Sequence, residues 1–162
     1  WGGNPWFPML VGNQTTPAGY EIMLGYALVK ESDPGLATQL RNGMYSTADY
    51  FLGANSQNMS FVTGIGAKYP KHIFHMDAWY NGKGKVHPGL IPYGHWRKEN
   101  ELGAGPWDVA WPHKTLYPAG VDNWPGNERF FDNRCSPMGA EFTVHQQSGP
   151  AAAFFGALCG AK

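Results

Sequence analysis

Net charge is the first thing this sequence lacks. Twelve Lys and Arg balance twelve Asp and Glu among 162 residues, and no basic stripe gathers anywhere along the chain. That argues against nucleic acid and anionic membrane surfaces as partners, because both need clustered cations. Long apolar runs are missing too, so no stretch approaches membrane-spanning length. Cysteine is scarce: only Cys135 and Cys159 are present. The two either pair or stay as buried free thiols, and they do not fix the redox compartment. Gly64-x-Gly66 has no third glycine and no phosphate-cradling context, which excludes a nucleotide loop. His72-x-x-His75 with Asp77 two residues on has metal-like spacing. With no Cys or Glu nearby it is read as holding no metal. No cofactor is expected, and calcium, although compatible, has no motif here.

What the chain has instead is glycine (22), proline (13) and 15% aromatic residues. Helix-compatible periodicity covers a minority of it, so a closed core built by this chain alone is not expected. The length suits one modest domain. Low charge with many Trp and Tyr fits a neutral partner better than an ionic one.

Thr16-Pro17 reads as an N-cap followed by the first helical position, where the amide hydrogen that proline lacks would be orphaned anyway. From Ala18 to Glu31 apolar residues fall on nearly all sides, which predicts a helix buried over most of its surface. Asp33-Pro34 repeats the cap signal. The second helix is expected to run to about Leu52, with Leu36, Leu40, Met44, Ala48 and Phe51/Leu52 on one stripe. A short turn between them makes an αα-hairpin. Gly53 to Glu141 then shows little helical or strand periodicity, and a loop region of that length usually carries function. It holds Trp79, Trp96, Trp107, Trp111 and Trp124. A last short helix is predicted over Pro150 to Leu158. There is no internal repeat and no low-complexity linker.

Three ordered motifs carry a resemblance. Asp132-x-Arg134 precedes Glu141 within Phe130 to Glu141, and the small-residue run ending in Gly156-Ala157-Leu158 follows. Gly53-Ala54-Asn55, Ser60-Phe61-Val62 and Gly64-Ile65-Gly66 form a Gly/Asn/Ser loop. Tyr69-Pro70-Lys71-His72-Ile73-Phe74-His75 supplies the third. Together these resemble glycoside hydrolase family 9, the inverting cellulases, in its Asp-x-Arg…Glu signature, its Gly/Asn/Ser loop and its Pro-x-x-His-His-Arg motif. The sequence departs from that pattern at Pro92-Tyr93-Gly94 in place of Gly-Gly-Pro, at Met76 in place of Arg, and at Pro137 and Ala140 in place of Tyr and Asn.

The resemblance implies a mainly α fold, the C-terminal portion of an (α/α)6 barrel with a long irregular loop region. Residues 1–162 would be the last third of a single catalytic domain, incomplete and inactive alone. The implied chemistry is inverting hydrolysis of β-1,4 bonds in a glucan or related oligosaccharide. One carboxylic acid protonates the leaving oxygen while a second carboxylate activates water. Glu141 is the candidate acid. Such an acid must stay protonated near neutral pH, and Ala140, Phe142 and Val144 give it largely apolar neighbours in sequence. Asp132 joins the catalytic set as an orienting carboxylate, with a structural ion pair to Arg134 as the plainer reading. It is not the candidate base, because the family's base sits in an Asp-Ala-Gly-Asp-type motif that this sequence does not contain.

For substrate binding the candidates are His75, Arg134, His72, Trp79, Trp124 and Tyr93. Imidazoles and a planar guanidinium hold hydroxyls, and a flat indole stacks on the apolar face of a pyranose. With Met76 replacing the motif's Arg, Lys71 is the substitute cation. Asn55, Ser60 and Thr63 read more readily as turn chemistry than as a binding floor. The expected partners are a β-glucan and the remainder of the catalytic domain, with no nucleic acid and no membrane. The expected location is extracellular or periplasmic. The alternative is a non-catalytic sugar-binding protein on a degenerate hydrolase scaffold, motivated by the motif departures. A plainer option is an interaction module whose Trp-rich loops pack on another chain.

Overall fold

A computed structural model describes residues 19–81, 84–95, 116–118, 124, 125, 128–135, 137–142, 144, 155 and 157–160. Four helices are α1 (Gly19–Val29), α2 (Pro34–Leu52), α3 (Met76–Tyr80) and α4 (Pro137–Ala140). Single helical residues also occur at 144 and 155, with a further helical stretch at 157–160. Beyond a single bridge residue at Gly94, the described residues contain no strand. The Thr16-Pro17 cap and the start of the first helix, along with Trp96, Trp107 and Trp111, lie outside the described residues.

The hairpin signals translate directly. The Asp33 carboxylate accepts the Leu36 amide at 2.9 Å, and Pro34 occupies the first position of α2. The connector closes with Ser32 and Asp33 amides donating to the Val29 carbonyl. Gly53 ends α2 at φ 135°, its amide capping the Asp49 and Tyr50 carbonyls. The buried side of α2 is Ala37, Met44, Ala48 and Phe51. Leu36 and Leu52, expected on that stripe, are exposed. The buried face is therefore turned slightly from the one that the largest side chains suggest.

The expectation for α1 needs correction. Its described side chains are half-buried or exposed, with Leu24 43% and Leu28 81% exposed. Ile22, Met23 and Tyr26 pack on Met44 and Ala48 of α2, alongside Phe155, Ala157 and Leu158. Among the described residues, one side of α1 is thus covered. The last helix reaches residue 160 rather than stopping at Leu158.

A second core cluster anchors the irregular region to the end of α2. It joins Tyr50 and Phe51 to Met59, Phe61, Val62, Ile91 and Phe130. Phe61 and Phe130 meet edge to face at 5.3 Å, a favourable aromatic geometry. The polar groups of the glycine-rich loop hold this arrangement. Asn55 donates to the Tyr50 and Met59 carbonyls and accepts the Gln57 and Met59 amides. Fully buried Thr63 donates to the His87 carbonyl at 2.7 Å and accepts the Leu90 amide at 2.8 Å. These contacts are the turn and loop chemistry favoured for those residues. Helices α3 and α4 lie where no periodicity was visible, because five and four residues are too few to show one. Cys135 and Cys159 are free and exposed, neither paired nor buried.

Candidate active site

The site is assembled by backbone hydrogen bonds between three segments far apart in sequence. Tyr93 donates its amide to the Glu141 carbonyl at 2.7 Å, and Gly94 to Gly139 at 3.1 Å. From the other direction the Phe74 amide reaches the Ala140 carbonyl at 2.9 Å. Residues 139–141 are therefore clasped between the 93–94 and 74–75 segments. A Cβ on Gly139 would stand 3.4 Å from the Gly94 carbonyl oxygen and 3.5 Å from the Phe130 ring, ordinary contact distances.

Glu141 is half-buried, and its carboxylate accepts the phenol of Tyr93. Partial burial pushes the Tyr93 phenol up to about 12, with the Glu141 charge and hydrogen bond adding in the same direction. The phenol thus remains a donor across the working pH range. The apolar sequence neighbours of Glu141 gave no sign of this polar partner, which lies 48 positions away.

His75 caps α3, its Nδ1 accepting the Ala78 amide at 3.2 Å. Its ring stacks on Phe142 at 5.5 Å with an interplanar angle of 14°. Since Phe142 follows Glu141, the imidazole sits beside the candidate acid's segment. His72 and Arg134 form the next layer. The Arg134 guanidinium approaches His72 Nδ1 at 3.4 Å and lies over the Trp79 ring, 5.4 Å from its centroid, a cation–π arrangement. Trp79 also meets Phe74 edge to face at 5.2 Å. The indole expected to stack on sugar therefore already carries a guanidinium.

Asp132 has a clear role. Its two oxygens accept the amides of Lys71 and His72 at 2.7 and 2.9 Å. Among the described residues, this carboxylate fixes the histidine-bearing segment rather than pairing with Arg134. The structure thus joins Tyr93 to Glu141, with His75 stacked on the next residue, and it joins Asp132, His72, Arg134 and Trp79 in a second group. Trp124 makes its contacts elsewhere, donating to the Pro118 carbonyl at 3.0 Å and lining a groove with Tyr117, Gln57 and Phe130. Lys71, the substitute cation, lines a separate open cleft with Tyr69 and Lys85.

Sequence reasoning missed His87. Its Nε2 lies 2.5 Å from Asp77 Oδ2, and its ring meets His75 edge to face at 5.0 Å. The His87 contact holds the exposed Asp77 carboxyl below its ordinary range. Twelve positions separate His87 from His75 with no motif between them, so only the folded chain pairs them.

Comparison with known proteins places this geometry. The model of glycosyl hydrolase family 9 matches residues 4–154. Endoglucanase 10 of Arabidopsis thaliana is 32% identical over 113 residues, covering 69% of this chain and 19% of that protein. An endoglucanase of Phaseolus vulgaris is 29% identical over 110 residues, covering 67% and 21% respectively. The chain therefore spans about a fifth of the length of these relatives. Among solved structures, AaCel9A in complex with cellobiose-like isofagomine matches with a TM-score of 0.59 at 21% identity, covering 86% of this chain and 24% of that one. A thermostable endoglucanase from Alicyclobacillus acidocaldarius matches with a TM-score of 0.59 at 19% identity, covering 96% and 27%. The fold is accordingly mainly α, a portion of an (α/α)6 barrel in which α1 and α2 form a hairpin and a long irregular region carries the site. With the family model matched along nearly its whole length, this chain belongs to glycosyl hydrolase family 9.

Proposed function

We propose that this chain supplies the general acid and part of the sugar-binding surface of an inverting β-1,4-glucan hydrolase. The observation that carries the reading is the clasp around Glu141. A carboxyl group hydrogen-bonded by Tyr93 sits in a segment that also bears the Phe142–His75 stack, within a family 9 chain. Glu141 protonates the leaving oxygen as the glycosidic bond breaks. The Tyr93 hydroxyl occupies one carboxyl oxygen, which leaves the other free to present its proton to the leaving group. His75 and Arg134 hold sugar hydroxyls, and Asp132 fixes the backbone that carries His72. The curated relatives are named endoglucanases, which supports a glucan as substrate.

The carboxylate that activates water comes from the rest of the catalytic domain, of which these residues form the C-terminal part. Leu24 and Leu28 on α1 and Leu52 on α2 expose apolar surface that suits packing against those further helices. The protein acts outside the cytoplasm, on a polymer that does not enter cells. No helix among the described residues is long and apolar enough to cross a membrane.

The test is Glu141→Gln in the complete protein. Loss of the acid is expected to lower turnover by about 10²–10⁴-fold with oligosaccharide affinity largely kept. Turnover like that of the unmodified protein refutes the assignment. Oligosaccharide binding without release of reducing ends, in the unmodified complete protein, would instead favour a non-catalytic sugar-binding role.

A further inference from the structure

We propose that His75, Asp77 and His87 form a binding site for a borderline divalent cation, zinc being the best fit. One ligand atom from each of the three residues lies within 4.8 Å of the others. Two imidazoles and one carboxylate are a donor set that suits zinc and its neighbours among the transition metals. Calcium and magnesium prefer all-oxygen shells and are disfavoured here. Around a tetrahedral zinc with bonds of about 2.1 Å, ligand atoms stand about 3.4 Å apart. The Asp77–His87 pair is already closer than that, so binding requires those two exposed side chains to spread and the three ligand atoms, now within 4.8 Å of one another, to close around the ion.

Two features make this more than a chance gathering of polar groups. His75 is held before any ion arrives: its Nδ1 is committed to the Ala78 amide and its ring is stacked on Phe142. Because Nδ1 accepts there, the neutral ring carries its hydrogen on Nε2, so an ion at Nε2 moves that hydrogen to Nδ1 and gives up the Ala78 bond, leaving the Phe142 stack to hold the ring. The two halves of the site also have independent scaffolds. Asp77 lies in the first turn of α3, whereas the His87 carbonyl is tied to buried Thr63 at 2.7 Å. A bound ion would join α3 to the 84–95 segment, which leads into the Tyr93 clasp on Glu141. With three protein ligands, solvent or another group completes the shell. An ion on His75 Nε2 takes the nitrogen that the proposed function assigns to sugar hydroxyls, so the two roles compete, and ion binding is tested without reference to hydrolysis.

The experiment uses the complete protein stripped with a chelator, titrated with zinc by calorimetry and with cobalt by visible absorption. Each titration is repeated on His87→Ala and on His87→Gln, which keeps a donor for Asp77 but is a poor metal ligand. The expected result is one zinc equivalent whose affinity falls by at least about tenfold in both variants, since even outer-shell changes at metal sites cost that much. An intense tetrahedral cobalt spectrum should accompany it and be lost with His87. Calcium in excess should leave the zinc isotherm unchanged. Equal zinc stoichiometry and affinity in the unmodified protein and in a correctly folded His87 variant overturn the proposal, as does the absence of zinc binding to the unmodified protein.

Discussion

The Asp132 carboxylate receives the amide of His72, sixty positions earlier in the chain, at 2.9 Å, and takes the Lys71 amide on its other oxygen. One acid side chain thus fixes the start of the segment that delivers His72, His75 and α3. It makes the Asp-x-Arg pair a positioning device. Asp132 holds the backbone from below, while Arg134 reaches over it to His72 and Trp79.

Replacing Asp132 by Ala should therefore do two things together. Losing two charge-assisted bonds at a half-buried position is expected to cost about 2 kcal/mol of stability. The loosened segment should also lower kcat/KM on oligosaccharides in the complete protein. Asp132→Asn keeps one accepting oxygen and should show roughly half the stability loss. Denaturant midpoints and steady-state kinetics on both variants check this. An Asn variant as damaged as Ala would show that charge, not acceptor geometry, is what matters.

Tyr93 makes a sharper test of how Glu141 is held. Its phenol, pushed up to about 12, donates to the Glu141 carboxylate. Tyr93→Phe removes that donor and little volume. A hydrogen bond to a charged group is worth about 1.5–3 kcal/mol, so turnover is expected to fall by about ten- to a hundredfold. KM should change little, and the melting temperature should fall by a few degrees, since the same bond is lost from the folded state. A rise in KM with unchanged kcat would assign Tyr93 to sugar binding alone.

Much of the scaffold was legible because caps and breakers act locally. Asp33-Pro34 announces α2, and the apolar spacing at Met44, Ala48 and Phe51 marks its buried side. Asp132, Arg134 and Glu141 share one segment of sequence, and the contacts of Asp132 and Arg134 run to Lys71, His72 and Trp79. What the sequence withheld is long-range pairing. Nothing local ties Tyr93 to Glu141 or His87 to Asp77, since both contacts depend on loops closed by backbone bonds. Apolarity on all sides of α1 says that the helix is to be covered, and the described residues cover one side of it. Trp79 likewise reads as a stacking platform until the fold lays Arg134 on it.

Gly64 tests the loop that brings His87 into place. It sits at φ +77°, and a Cβ there would stand 2.7 Å from Pro88 Cβ and 3.2 Å from Pro88 Cα. Gly64→Ala combines left-handed strain with a collision and should cost about 2–3 kcal/mol. Gly89, at φ +86° with nothing within 4 Å of an added Cβ, carries the strain alone. Gly89→Ala should therefore cost only about 1 kcal/mol. Equal losses in urea denaturation would remove the Pro88 contact from the account.

His95 sets the expected response to acid. It is fully buried between Tyr50, Phe61 and Phe130, with its ring centroid 5.1 Å from that of Phe61. The Tyr50 hydroxyl lies 3.2 Å from its Nδ1, and burial pushes that phenol up to about 12. A protonated phenol therefore donates to a neutral imidazole, whose hydrogen then rests on the buried, unpartnered Nε2. Burial lowers the His95 value from 6.5 to about 4. Because the folded value is depressed, the unfolded chain takes up this proton first as pH falls. Stability from this group is complete above about pH 6.5 and drains away as pH drops toward 4, by about 3 kcal/mol in all. His95→Phe removes the hydrogen bond from the Tyr50 hydroxyl to Nδ1 and should be less stable at pH 7. Its stability should nevertheless fall less steeply between pH 6.5 and 4 than that of the unmodified protein. Parallel curves over that window, measured by denaturant unfolding, would show that His95 does not carry the acid sensitivity.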